Sequence, residues 1–154
     1  MPHHLHVVLI EPEIPSNTGA IGRLCLATQS TLHLVGPLGF EITDTLLKRA
    51  GLDYWQHLDV TTYPDRQAFF ESLPETAPRV FFSKKAEPSL YEHRFQPGSY
   101  LIFGKETKGL SEELMAAHDG RVYRIPQYDD RIRSLNLSNV VAIVVYEAIR
   151  QLGV

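Results

Sequence analysis

Residues 134–153 read SLNLSNVVAIVVYEAIRQLG, and whether this stretch is strand or helix decides the fold. Propensity alone favours a strand, because VVAIVVY is mostly β-branched and aromatic. Length and flanks favour a helix. Polar capping residues precede the run, Tyr146, Glu147, Ala148, Ile149 and Leu152 continue it, and the length is right, so the pattern predicts a helix over Leu137–Leu152, about 22 Å long. From Val140 to Val145 that helix is apolar on nearly every side, unlike a surface helix with one wet face. A second covering layer is implied, either more of this chain or another subunit. The four polar residues before it, Ser134, Asn136, Ser138 and Asn139, are either a cap for the first helical turn or part of a binding site.

With a helix at the end, the rest of the chain falls into alternation. Short runs rich in aliphatic and aromatic residues at Leu5–Ile10, Thr31–Gly36, Arg79–Ser83, Ser99–Phe103 and Arg121–Ile125 are expected as buried strands. Helical spacing falls between them, at Thr18–Gln29, Thr43–Ala50, Pro64–Leu73 and Leu110–His118. Alternation of this kind predicts an α/β fold, a mostly parallel sheet flanked by helices on both faces. The proline-containing stretches LPETAP and AEPSLYEHRFQPGS read as connections, so residues 1–154 are expected to form a single domain.

A chain of 154 residues can bury roughly 70% of its unfolded surface without a staple. Its single cysteine, Cys25, cannot close an intramolecular disulfide and fits a reducing, cytoplasmic setting. The N-terminal apolar run LHVVLI is far short of the roughly 20 residues needed to span a bilayer, so no membrane is expected. A formal charge of −3 argues against a strongly basic, non-specific nucleic-acid binder but leaves room for local patches. Cationic residues do cluster, at Lys48 and Arg49, Lys84 and Lys85, Lys105 and Lys108, and at Arg121, Arg124, Arg131 and Arg133. Each pair alone fits ordinary solvated surface.

Three polar junctions follow strands. In EPEIPSNTGAIGRLC (11–25), Pro12 and Pro15 hold the chain off helix until Asn17 or Thr18 can cap it, and Arg23 points away from the Ile21–Leu24–Cys25 stripe. In LIFGKETKGLS (101–111), the glycines do not match a Walker loop or a dinucleotide fingerprint. What remains is Gly104 at a strand end, where a flat ligand could approach the backbone, and Gly109 with Ser111 before a helix. In RIPQYDDRIRSLNLSN (124–139), a polar loop leads into a helix N-terminus that can offer oriented N–H groups. Each junction taken singly is equally a plain turn with a cap. His3, His4 and His6 lack an evident carboxylate or cysteine partner, and no metal site is expected.

Taken together and in this order, the three junctions resemble the three motifs of the SPOUT superfamily of knotted RNA methyltransferases: PSNTGAIGR, LIFGKETKGLS and RIPQYDDRIRSLNLSNVVAIVVYEA. With EPEIPSNTG, RAGLDYW and VVYEAIRQLG, the chain is most similar to the small tRNA wobble-nucleotide 2′-O-methyltransferases, the TrmL (YibK) group. The resemblance implies a C-terminal deep trefoil knot in the parallel sheet, which general topology rules treat as a rare exception. It implies S-adenosyl-L-methionine as cofactor, with no metal, leaving as S-adenosyl-L-homocysteine. It also implies a homodimer formed through the knot region and the C-terminal helix, sharing its active sites, with a tRNA anticodon stem-loop as partner.

Carried over by position, the resemblance assigns Ser83, Gly104, Glu106, Gly109, Leu110, Ile125, Ser134, Leu135 and Asn136 to the cofactor, and Asn17 and Arg23 to the RNA and the chemistry. The expected reaction is methylation of the ribose 2′-hydroxyl at position 34, a cytidine or modified uridine of a tRNA-Leu type. Arg23 would grip phosphate and polarise the attacking oxygen, since a guanidinium keeps its proton too firmly to act as a base. The chain departs from the family pattern at Lys105 and Lys108 and in the loop Gln127–Arg133, which is polar and a residue longer than in close relatives. Other readings compatible with the residues are the same transfer to another tRNA or ribosomal RNA ribose, a non-catalytic knot protein that binds RNA or cofactor, and a flavin- or nucleotide-binding α/β protein.

Overall fold

The computed structural model describes residues 3–43 and 53–154. Six strands form one sheet: β1 His6–Ile10, β2 Thr31–Val35, β3 Val60–Tyr63, β4 Arg79–Phe82, β5 Tyr100–Phe103 and β6 Val122–Tyr123. They lie in the order β3-β2-β1-β5-β4-β6, and each neighbouring pair is parallel. Four α-helices are described: α1 Pro15–Thr28, α2 Arg66–Ser72, α3 Glu112–Ala117 and α4 Leu137–Leu152. The helix expected at Thr43–Ala50 and the pair Lys48 and Arg49 lie outside the described residues, apart from Thr43 itself. Among the described residues no helix is long and apolar enough to cross a membrane.

The parity of each strand explains why both faces are dry. Leu5, Val7 and Leu9, with Leu32, Leu34, Val80, Phe82, Leu101 and Phe103, pack under α1 and α4 through Ile21, Cys25, Val141, Val144, Val145 and Ala148. The alternate residues Val8, Ile10, Val35, Phe81 and Ile102 pack under α2 and α3 through Phe69, Leu73 and Leu114. Strands covered on both sides need apolar residues at every position, which is why they read as continuous apolar runs.

The sequence expectation missed β3. Its residues VTTY are half polar because it is an edge strand, paired only to β2, with Thr61 and Thr62 exposed. The strand expected over Arg121–Ile125 shortens to Val122–Tyr123, and Arg124 leaves the ladder to bridge Ser89. Helix α1 begins at Pro15 rather than Thr18: Ile14 is the cap residue and supplies no side-chain bond. Proline tolerates the first helical position because its missing N–H has no intrahelical acceptor there. Helix α4 has the expected bounds, with Asn136 as cap and Gly153 ending it in a left-handed conformation at φ 74°. Its last turn is tied to the β4–β5 connection, since Gln151 accepts from Phe95 N at 2.9 Å and donates to His93 O at 2.9 Å.

Polar side chains cross the sheet face under α2, from His6 at the start of β1 to Tyr63 at the end of β3. Nδ1 of His6 lies 2.9 Å from Nε2 of His33, and Nδ1 of His33 lies 2.9 Å from the Tyr63 hydroxyl. His6 also stacks on Tyr100 with ring centroids 4.0 Å apart. Burial, with the neighbouring His6 adding to it, pushes the His33 pKa down from 6.5 to about 4. A histidine held neutral in this way binds fewer protons when folded than when unfolded between those two values. Its contribution, on the order of 3 kcal/mol, is complete above pH 6.5 and is lost as pH falls toward 4. The melting temperature is therefore expected to fall as pH is lowered from 6.5 to 4, and to fall less steeply in His33→Gln. An unchanged pH slope in that variant, followed by calorimetry, would remove His33 as the cause.

Candidate active site

The chain enters the sheet at its centre, and the two halves of the strand order diverge between β1 and β5. Open parallel sheets bind ligands at such a switch point, outside the C-terminal strand ends. A cleft of about 620 Å³ lies there, walled by Phe82 and Ser83 leaving β4, Phe103 and Gly104 leaving β5, Ile125 beyond β6, and Ile14 and Asn17 at the start of α1. Leu135, Leu137 and Val140 line another side, and the Lys84, Lys85, Lys105, Lys108 and Arg133 side chains give the lining its positive charge. The volume is in the usual range for a small-molecule site, and the mixed apolar and polar lining is also typical of one.

Three loops from distant parts of the chain are joined at this cleft by side-chain hydrogen bonds. The Glu106 carboxylate accepts from the backbone N–H groups of Glu13 and Ile14, each at 2.8 Å, and from the Asn17 amide at 3.3 Å. It thereby supplies the N-terminal satisfaction that α1 lacks from its own cap residue. Glu13 reciprocates, accepting from Thr107 N at 3.0 Å and from the Thr107 hydroxyl at 2.8 Å. The Thr107 N–H, followed by its hydroxyl, holds the Glu13 carboxyl below its ordinary range. On the far side, Asn136 donates to the Asn17 amide oxygen at 3.0 Å. The Asn136 oxygen also caps α4, accepting from Ser138 N at 2.9 Å and from the Ser138 hydroxyl.

The turn carrying Glu106 is closed as tightly as backbone allows. Gly109 N donates to Lys105 O at 2.8 Å, and a Cβ placed on Gly104 would meet Gly109 C at 2.1 Å and Leu110 N at 2.2 Å. Gly104 is thus required by the turn folding back on it, a constraint the sequence did not show. Gly109 sits at φ +65°, a conformation that favours glycine.

Of the residues singled out from sequence, Ser83, Gly104, Glu106, Gly109, Ile125, Ser134, Leu135 and Asn136 all line the cleft, together with Asn17. Leu110 does not: its side chain is buried against Ile10 and Leu114 in the core beneath α3. Arg23 does not either. It lies on the exposed side of α1, its guanidinium 5.9 Å from the centre of the Tyr54 ring, whose hydroxyl donates to Gly19 O at 2.7 Å. Sequence reasoning missed Glu13 and Ile14. The signal was an acidic residue held between two prolines, which cannot be linked to Thr107 without the fold.

Because Asn17 and Asn136 share one hydrogen bond within this network, their removal should not be additive. Asn17→Ala and Asn136→Ala are each expected to cost about 1–2 kcal/mol. A double-mutant cycle by denaturant unfolding should return a coupling of about 0.5–1.5 kcal/mol. Strict additivity would mean that the bond contributes nothing.

Comparison with known proteins agrees with this geometry. Residues 4–146 match the SpoU rRNA Methylase family. Over 151 residues the chain is 47% identical to the tRNA (cytidine(34)-2'-O)-methyltransferase of Escherichia coli K12, an alignment covering 97% of this chain and 94% of that one. Its fold matches a solved structure described as "Structural insights into the 2-OH methylation of C/U34 on tRNA", with a TM-score of 0.92, 47% identity and 99% of each chain covered. It also matches an AdoMet-bound rRNA methyltransferase from Sinorhizobium meliloti, with a TM-score of 0.83 and 25% identity over 96% of this chain and 56% of that one. A parallel sheet with a cleft at its switch point, three loops locked around that cleft and a family match along nearly the whole chain place this protein in the SpoU methylase family of SPOUT methyltransferases.

Proposed function

We propose that the protein, acting as one domain over residues 1–154, methylates the ribose 2′-hydroxyl of the tRNA wobble nucleotide, position 34, using S-adenosylmethionine. The observation that carries this reading is the cleft at the ends of β4 and β5, walled by all three motif segments, on a chain 47% identical to a cytidine-34 enzyme. The donor set fits the cofactor. Ser83 and Ser134 offer hydroxyls, Phe82, Ile125, Leu135 and Val140 offer apolar walls, and the lysines and Arg133 offer charge to a carboxylate. When bound, S-adenosylmethionine supplies a methyl group on a positively charged sulfur, so the leaving group departs neutral. Segment 124–136, running beside the β4 end with Arg124 N bonded to Pro88 O and Lys84 Nζ bonded to Arg133 O, is where the family's knot would form.

For the protein the remaining task is positioning, which can supply a large share of such a barrier. The bracing of Asn17 by Glu106, and of Asn136 through Asn17, fixes the cleft walls before any substrate arrives. Arg23 is the group assigned to the phosphate and the attacking oxygen, yet it lies outside its own cleft. A homodimer reconciles the two, with Arg23 of one copy serving the cleft of the other. Support comes from α4, where Tyr146 is 54% exposed on a side that also carries partly exposed Ala142, Ile143 and Ile149. An apolar face of that kind calls for a partner.

Nucleoside mass spectrometry of tRNA from cells lacking the gene should show loss of one 2′-O-methyl pyrimidine at position 34 and its return on add-back. Unchanged tRNA with loss of a ribosomal 2′-O-methyl would move the substrate to ribosomal RNA. The shared site is tested by complementation. Arg23→Ala and the cleft-filling Ser134→Tyr are each expected to be inactive as homodimers, while their co-expression restores about a quarter of wild-type activity, since half the dimers are mixed and each mixed dimer has one intact site. No restoration, with mixed dimers demonstrated, would place Arg23 and its cleft on the same chain.

A further inference from the structure

A second groove, of about 660 Å³, opens beside the cleft and shares Lys84, Ile125, Gln127 and Arg133 with it. Tyr128 stands at its edge, 95% exposed, and makes no ring contact among the described residues. The loop that carries it is hydrogen-bonded within itself. The Gln127 amide donates to Asp129 O at 3.1 Å and Ile132 O at 2.8 Å, and the Asp129 carboxylate takes Arg131 Nε at 3.0 Å and Nη2 at 2.6 Å. Its polar groups are thus largely occupied by one another, and what it offers outward is an aromatic ring with both faces free.

Around that ring the charge is of one useful kind. Lys84 uses one donor on Arg133 O, and Arg124 uses its Nε on Glu87 O at 3.1 Å, which leaves further cationic donors facing solvent in both. Asp129 is neutralised by Arg131, and Asp130 is the one carboxylate of the groove that makes no ion pair among the described residues. A free aromatic face beside cationic side chains is the combination that binds single-stranded nucleic acid, the base stacking and the phosphate pairing. We propose that Tyr128, with Lys84, Arg124 and Arg133, forms a subsite for the nucleobase and phosphate of the RNA nucleotide adjoining the one that is methylated. This rests on the methyltransferase reading above, because continuity with the cleft is what makes the occupant a neighbour of the reacting nucleotide. A peptide is the poorer fit, since the groove offers little apolar surface and would demand an acidic partner.

The test is steady-state methylation of an anticodon stem-loop RNA by wild type, Tyr128→Phe and Tyr128→Ala, with S-adenosylmethionine affinity measured by calorimetry. Tyr128→Ala is expected to raise the KM for RNA about 5-fold or more, as loss of one stacked base would, without changing kcat or cofactor affinity. Tyr128→Phe should keep the wild-type KM, because the ring and not the hydroxyl is the platform. A 2-aminopurine placed beside the methylated nucleotide should be quenched on binding wild type and Tyr128→Phe, and less so by Tyr128→Ala. An unchanged KM and quench in Tyr128→Ala, with wild type active, would overturn the subsite and leave the methyltransferase reading intact. Loss of cofactor affinity in Tyr128→Ala, or a Phe variant as weak as Ala, would also overturn it, whereas a wild type that methylates no RNA would overturn both readings.

Discussion

Everything at the cleft depends on one carboxylate. Glu106 collects two backbone N–H groups at the start of α1 and the Asn17 amide, so a turn after β5 becomes the cap for a helix after β1. Carboxylates near a helix N-terminus are stabilised by its unpaired N–H groups and by the helix dipole. The placement is therefore favourable locally while it also fixes two loops to each other. Asn136 extends the link to α4, whose first turn it caps with the same oxygen-bearing amide that reaches Asn17. Helix capping and site construction are here one set of bonds.

Much of the architecture was legible because burial on both faces imposes a strong rule on strands. The five apolar runs of the sequence correspond to β1, β2, β4, β5 and β6, and the α4 bounds followed from the polar residues before it and from its length. β3 was invisible because, at an edge of the sheet, its central Thr61 and Thr62 face solvent and are released from that rule, so VTTY reads as loop. The start of α1 was misjudged because its cap comes from Glu106, more than ninety residues away, which local capping rules cannot see.

The site was legible in its parts and less so in their roles. Its glycines, serines and asparagines were located, and nine of the eleven residues singled out converge on the cleft. Leu110 failed to join them because a leucine after a tight glycine turn has apolar core within reach. Glu106 and Asn17, read as facing ligand, line the cleft and also hold each other, since a carboxylate beside the unpaired N–H groups of a helix start is drawn to them. The charge of the chain as a whole was a poor guide. At −3 it conceals a cleft lined by lysines and an arginine, because electrostatic recognition is set by the local arrangement and not by the sum.

The order of the strands bears on how the molecule is made. β1 lies between β2, which follows it closely, and β5, which follows only after some ninety residues, and the bond from Asn136 to Asn17 spans 119 positions. During synthesis, β1, α1, β2 and β3 can assemble as an early unit whose free edge on β1 waits for the later strands. Contacts of such long separation are slow to form because the chain entropy of closing them must be lost first. The cleft is thus the last part of the protein to exist, completed only when nearly the whole chain has been made, and a truncated chain could have a folded N-terminal half but no site.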